Sequence, residues 1–288
     1  MKNRAWLFLL PALLLVALSA LIPIMTVVNY SIHNLVPGSI AEFYGLGNFT
    51  EVLQDEFFMG AISRQFLFTF QVLLLEIPLG LFIATLLPKM RSKGLTISFI
   101  LLGIPLLIPW NVVGIVWRVF TRSDLGVATA VLNKLGYNYL VTERAIDAWM
   151  TVLIMDVWHW TPLVVLLCYA GLQTIPAPYY QAARIDGASR WATFFYVTLP
   201  RLRYVLIIAV LLRAIDSFNI YAEPYMITGG GPGSTTTFMN IYTSSQTIEA
   251  FDMGYGAAMS LIYLFIVVVM CYVLYTLMLQ IGQGGKNK

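Results

Sequence analysis

Six apolar stretches, each long enough to cross a bilayer as a helix, constrain this chain more than anything else in it. A helix needs roughly 20 apolar residues to span the hydrocarbon. The stretches at about 5–32, 61–87, 95–120, 145–172, 204–227 and 255–281 all qualify. They leave 59% of the 288 residues hydrophobic and only 11% charged, where soluble domains carry roughly 25% charged residues. The expected fold is all-α: an integral membrane protein of six transmembrane helices forming a single domain over 1–288. Pro11, Pro23, Pro105 and Pro109 lie inside spans and predict kinked helices whose freed carbonyls find partners on neighbours. Residues 1–20 imitate a signal peptide, and a cleaved signal is the alternative there. The apolar run continues to about residue 32, past a signal core of roughly 7–15 residues, so it reads as an uncleaved first span.

Basic residues set the orientation. With the N-terminus in the cytoplasm, the cytoplasmic pieces hold Lys2, Arg4, Lys89, Arg91, Lys93, Arg184, Arg190, Arg201, Arg203, Lys286 and Lys288, eleven of the 17 basic residues. Asp186 is the one acidic residue among them. The outer loops hold Glu42, Glu51, Asp55, Glu56, Asp124, Glu143, Glu249 and Asp252. This predicts a multi-pass protein of the cytoplasmic (inner) membrane, in contact with membrane lipid. Both termini and residues 176–200 would face the cytoplasm.

Catalytic signatures are weak. Gly229, Gly230, Gly231, Pro232 and Gly233 invite a phosphate-loop reading, but the Lys that meets phosphate charge does not follow,. A flexible or tightly turning outer loop fits better. No cofactor is expected in this chain, and ATP and Mg would belong to partners. Nucleic acid is not an expected partner. Cys168 and Cys271 sit in apolar runs and suggest neither a disulfide framework nor a metal site. His33 and His159 lack zinc spacing. His159, between Trp158 and Trp160, reads as a hydrogen-bonded interior residue rather than a proton relay. The chain is therefore expected not to be an enzyme.

Ionisable groups within spans are costly, by roughly 2.5–3.5 kcal/mol on insertion scales, and draw attention for that reason. Glu76, Asp156, Arg213 and Asp216 lie at such positions, with Asn219 and Glu223 further along. Steps of three and four residues place Arg213, Asp216, Asn219 and Glu223 on one helix face. Asp156, His159 and Trp160 share another. One reading is a wet cavity that takes a hydroxyl-rich ligand on polar groups and indole faces. The other is an Arg213–Asp216 or Arg213–Asp156 pair that serves packing alone. Glu76 reads as structural.

The stretch 179–200 is a polar, basic island between apolar blocks. Pro176 and Pro178 prepare a helix start. Gly187 breaks or turns the helix, giving two short helices meeting at a glycine along the membrane surface. Its pattern is Gln-Ala-Ala-x-x-Asp-Gly-Ala, then Phe194, then Leu199-Pro200.

That pattern, carried by Gln181, Ala182, Ala183, Asp186, Gly187, Ala188, Phe194, Leu199 and Pro200, resembles the "EAA" coupling motif of permeases of ABC importers. Gln181 stands where the motif usually has Glu. Leu46-Gly47-Asn48-Phe49 and the 228–232 loop extend the resemblance to the first permease of maltose, glycerol-phosphate and polyol systems. The resemblance implies a permease subunit of an ATP-driven importer of a sugar, polyol or sugar derivative, working by alternating access. It implies a second homologous permease, two ATPase subunits docked at 176–200, and an extracytoplasmic solute-binding protein met by Gly229, Gly230, Gly231 and Pro232. It also implies a carbohydrate-like substrate passing Asp156, Trp158, Trp160, Asp216, Ser217, Phe218, Asn219 and Glu223. The competing class is an ion- or proton-coupled secondary transporter that uses the intramembrane carboxylates.

Overall fold

The computed structural model describes residues 5–36, 38, 40–88 and 92–283. Lys2, Arg4, Lys89, Arg91, Lys286 and Lys288, used above for orientation, lie outside the described residues. Helix α1 covers Ala5–Ser31. A two-residue hairpin follows, β1 (His33–Asn34) and β2 (Glu42–Phe43), antiparallel with His33 opposite Phe43. Then come α2 (Gly47–Gln54), α3 (Glu56–Leu86), α4 (Lys93–Leu107), α5 (Trp110–Phe120), α6 (Val127–Lys134) and α7 (Ala145–Gln173). The chain continues through α8 (Ala177–Ile185), α9 (Arg190–Thr193), α10 (Leu199–Phe218), α11 (Ala222–Thr228), α12 (Met239–Ser244) and α13 (Met253–Gln283).

Among the described residues, five helical stretches are long and apolar enough to cross a membrane by themselves, and α4 with α5 makes a sixth if taken as one bent span. The expectation of one continuous third span is corrected here. α4 and α5 meet at 94°. Pro109 has no N–H to donate, and it pushes Ile108 out of the helical region, to ψ 124°,. Ser92 starts α4 by accepting from the Leu95 N–H through Oγ at 3.1 Å.

The fifth span also differs from expectation. α10 ends at Phe218, and Tyr221, at φ −150°, separates it from α11. Pro224 could not donate to Ile220 in a continuing helix. In the first turn of a new helix its missing N–H costs nothing. Glu223 is therefore not on the helix face of Arg213 and Asp216, contrary to the three- and four-residue spacing.

The segment around Pro200 departs a third way. The second of the two expected short helices does not stop. α9 runs through a π-helical turn, Phe194–Thr198, directly into α10. The Leu199 N–H bonds to the Phe194 carbonyl, five residues back. This widened turn lets the helix pass Pro200, which cannot make the ordinary bond.

The chain forms two compact units. One comprises the residues up to Ile62 with Met239–Val269, and the other Ser63–Phe238 with the residues from Met270 onward. In the first, Asn48 of α2 is buried and donates through Nδ2 to the carbonyls of Ser31 and His33, both at 2.9 Å. It thereby satisfies the Ser31 carbonyl that the end of α1 leaves open, and one carbonyl of β1,. Asp55 accepts hydroxyls from Tyr242 at 2.5 Å and Tyr255 at 2.7 Å. Burial pushes the Asp55 carboxyl up, but those hydroxyls and the backbone N–H groups of Phe57 and Phe58 hold it below its ordinary value,. Burial, together with that carboxylate, pushes the Tyr242 phenol up.

In the second unit α7 is the central helix. Within its most apolar window 61% of residues are buried, against none in that of α1. Leu81 and Ala84 of α3, Val164, Val165 and Cys168 of α7, and Leu202 and Ala209 of α10 form one apolar cluster. Gly171 permits the α7–α10 contact, since a Cβ there would lie 2.8 Å from Leu202 and 2.9 Å from Val205. α5 and α11 touch backbone to backbone at Gly114, where a Cβ would come within 2.7 Å of Met226 and 3.1 Å of the Glu223 carbonyl. The exposed positions of α1 are mostly large apolar residues, with Ser19, Thr26 and Asn29 among them.

Candidate functional site

The first site is the turn after α8. Pro176 caps the helix in extended backbone, and Pro178 sits in its first turn, where its missing N–H is harmless,. The helix then closes by a double bond pattern. The Gly187 N–H reaches the Arg184 carbonyl at 3.1 Å, and the Ala188 N–H reaches the Ala183 carbonyl at 2.9 Å. These two bonds make a Schellman cap with Asp186, Gly187 and Ala188 as its last three positions. The middle residue must adopt a left-handed conformation, and Gly187 has φ +70°. Nothing lies within 4 Å of where its Cβ would be, so backbone conformation rather than space calls for glycine here. The Asp-Gly-Ala of the motif is thus a helix terminator.

Ser189 restarts the chain, its Oγ accepting from the Ala192 N–H at 3.1 Å. Ala183 is buried, and Arg201 stacks its guanidinium 3.6 Å from the Tyr179 ring centre, so α8 is held down on one side. Gln181, Ala182, Asp186, Gly187, Ala188 and Pro200 are exposed, and Leu199 is half-buried. Around them stand Ile185 (87% exposed), Tyr196 (82%) and Trp191 (73%), with Trp191 stacked on Phe195. Large apolar groups thus stand exposed beside a polar turn.

The second site is polar and interior. Arg213 of α10 is fully buried and bonds three carboxylates. Its Nε lies 2.5 Å from Glu76 Oε2, one terminal nitrogen 2.6 Å from Asp156 Oδ2, and the other 2.5 Å from Asp216 Oδ2. A second bond to Glu76, at 3.1 Å, makes that pair bidentate,. The Trp160 ring lies 4.8 Å from the guanidinium carbon. Both pairs proposed from sequence form together, and Glu76, assigned to structure, joins them. Three helices, α3, α7 and α10, thereby converge on one cation.

The remaining pathway candidates fall in two groups. Asp156, Ser217, Phe218 and Glu223 are buried. Ser217 donates to Ala214 and bonds Thr69 at 2.9 Å, and Phe218 meets Phe66 edge-on. Trp158 and Asn219 are exposed, and Asp216 keeps 30% of its side chain accessible. Trp160 is half-buried against Trp110, and Trp158 lies near Trp117, so four indoles gather where α5 meets α7. His159 is buried as expected, but its Nδ1 has no hydrogen-bond partner among the described residues, and its ring packs between the indoles of Trp158 and Trp160.

The third site is the loop after α11. Gly229 ends that helix at φ +62°, and Gly230 and Gly233 also have positive φ. Of the two loop conformations weighed from sequence, the tightly turning one is present. Thr228 and Thr236 hydroxyls bond at 2.6 Å, the Thr237 hydroxyl donates to the Gly230 carbonyl at 2.9 Å, and Arg64 Nε donates to the Thr237 carbonyl at 3.0 Å. Gly230 is buried, Gly231 and Pro232 are half-buried, and Gly229 is exposed. The role of Arg64 carried no signal in the sequence, because its partners lie more than 160 positions away.

Known proteins are similar to this chain in sequence and in fold. A sulfoquinovosyl glycerol transport system permease of Agrobacterium fabrum is 32% identical over 265 residues, covering 90% of this chain and 84% of its own. A trehalose/maltose transport system permease of Thermococcus litoralis is 34% identical over 287 residues, covering 98% and 94%. The fold matches a crystal structure of a bacterial ABC transporter involved in import of the acidic polysaccharide alginate. The TM-score is 0.83 at 18% identity, over 97% of this chain and 96% of that one. The family described as binding-protein-dependent transport system inner membrane component matches residues 76–284, which include α8 with its glycine cap and the Arg213 network, and this chain belongs to it.

Proposed function

We propose that this chain is one permease subunit of an ATP-driven importer of a sugar, polyol or sugar derivative. Relatives named for trehalose/maltose and arabinooligosaccharide transport support the carbohydrate class. In this reading a second, homologous permease completes the membrane path. A solute-binding protein delivers cargo at the outer loops, including the 228–232 turn, and an alginate transporter in complex with a periplasmic protein offers the parallel. Both termini and α8 face the cytoplasm, where the two ATPase subunits dock and bind ATP and Mg.

The single observation that carries the coupling role is the capped α8. It is exposed, terminated at Gly187, and continuous after one turn with the helix that carries Arg213. ATP-driven closure of the ATPases moves α8, and through the short turn at Gly187 it moves the unbroken α9–α10 helix. Asp216, Asn219, Trp158 and Trp160 offer acceptors, an amide and ring faces to hydroxyl-rich cargo. Asp156, Ser217, Phe218 and Glu223 support them from within.

Gly187→Val tests this, since a β-branched residue is strained at φ +70°. The variant should insert and assemble but lose ATP-coupled uptake of labelled sugar. Normal uptake would reject the docking role. Uptake that survives ATP depletion but collapses with an uncoupler would favour the secondary-transporter class.

A further inference from the structure

A cavity of about 760 Å³ lies under the α8 turn, between the ends of α3 and α7 and the start of the α9–α10 helix. Its lining mixes two chemistries. Leu87, Leu172 and Phe194 contribute apolar side chains. Arg184 and Arg190 contribute guanidinium groups, and Gln173 and Thr193 add polar ones. No carboxylate lines it among the described residues. Neither arginine makes an ion pair or a side-chain hydrogen bond with another described residue. Both occupy positions that the Ala-Ala-x-x-Asp-Gly-Ala pattern leaves unspecified, so the coupling motif does not account for them.

Depth decides what fits. α3 ends at Leu86 and α7 at Gln173, so the cavity opens where the apolar spans stop. That is the level of lipid headgroups. A guanidinium fork matches the oxygens of a phosphate ester, and the apolar side chains match the first methylenes of an acyl chain. Basic pockets between transmembrane helices on the cytoplasmic side are suited to anionic headgroups. A volume of this size also holds a headgroup rather than a bare ion.

We propose that this cavity binds the phosphate headgroup of an anionic phospholipid, with Arg184 and Arg190 gripping the phosphoryl oxygens. The bound lipid would brace α8 against the ends of α3 and α7. The site rests on the topology proposed above, and occupancy can be read without any transport measurement.

The test uses the full transporter with its partner subunits in phosphatidylcholine nanodiscs, titrated with phosphatidylglycerol and counted by native mass spectrometry. Arg184→Gln and Arg190→Gln should each weaken retention about fivefold, and together about thirtyfold. Arg→Lys variants should recover part of it, and millimolar inorganic phosphate should not displace the lipid. Equal retention in the double Gln variant overturns the proposal. Displacement by inorganic phosphate overturns the lipid assignment. Loss of ATPase co-purification with unchanged lipid count overturns it in favour of a protein contact. Cysteine labelling at position 186 from the two membrane sides separates a wrong topology from a wrong site.

Discussion

Replacing Arg213 with methionine should be among the most damaging single changes in the chain. The side chain is fully buried, with four hydrogen bonds to three carboxylates. Methionine keeps much of the length and apolar contact but removes the charge, leaving Glu76 at 0% and Asp156 at 3% exposure without their partner. Breaking a buried pair from one side costs about 3–5 kcal/mol, a factor of about 10² to 10⁴ in the folded ratio at 1.4 kcal/mol per decade. Arg213→Lys should recover only part, because a point charge cannot span three carboxylates as the planar fork does. The informative variant adds Glu76→Gln and Asp156→Asn to Arg213→Met. Neutral amides no longer need the cation, so the triple variant should be more stable than Arg213→Met alone, by about 1–3 kcal/mol of coupling. Detergent-solubilised transporter, unfolded with SDS and followed by tryptophan fluorescence, gives all of these free energies. Strict additivity, with the triple variant worse than the single by the sum of its parts, would refute the view that one network holds α3, α7 and α10.

Asn48→Ala should cost about 1–3 kcal/mol, since it removes the partner of the Ser31 carbonyl at the end of α1 and of the His33 carbonyl in β1,; thermal unfolding would show it, and an unchanged midpoint would count against the pinning role. Asp55 has a lowered folded pKa, so its contribution to stability is full above the unfolded value near 3.9 and is lost as pH falls through the folded value. Asp55→Asn should therefore flatten the acid limb of stability against pH below about 4 and leave the neutral slope alone, and an acid limb identical to wild type would contradict it. Gly114→Ala should force α5 and α11 apart at a cost of about 1–3 kcal/mol, read as a lowered unfolding midpoint with membrane insertion intact.

The apolar spans and the turn that ends α8 were legible because their signals are local. Apolar run length reports a bilayer directly, and Asp186-Gly187-Ala188 sits where a helix must stop. Pro109 and Pro224 were visible too, but proline alone does not say whether a helix kinks, breaks or restarts. The 94° bend and the separate α11 depend on what packs around those residues. The pairs on Arg213 were foreseeable as alternatives, because an isolated buried cation needs a carboxylate. That all three carboxylates share it depends on the packing of α3 against α7 and α10, which no spacing within one helix encodes. Asp55 with Tyr242 and Tyr255, and Arg64 with Thr237, are long-range meetings of the same kind.

The unbroken passage from α9 through the π turn into α10 makes that segment a lever with its fulcrum in the membrane. From Arg190 to Arg213 is 23 steps, about 35 Å at 1.5 Å per residue,. A tilt of about 10° over that arm displaces one end by about 6 Å relative to the other. There is no loop along it to absorb the rotation. A push of a few ångströms at the α8 turn therefore tilts the whole rod and displaces Arg213 and Asp216 with it, by an amount set by where the fulcrum lies. The polar anchor at Arg213 must then either travel with the rod or exchange the carboxylates it holds.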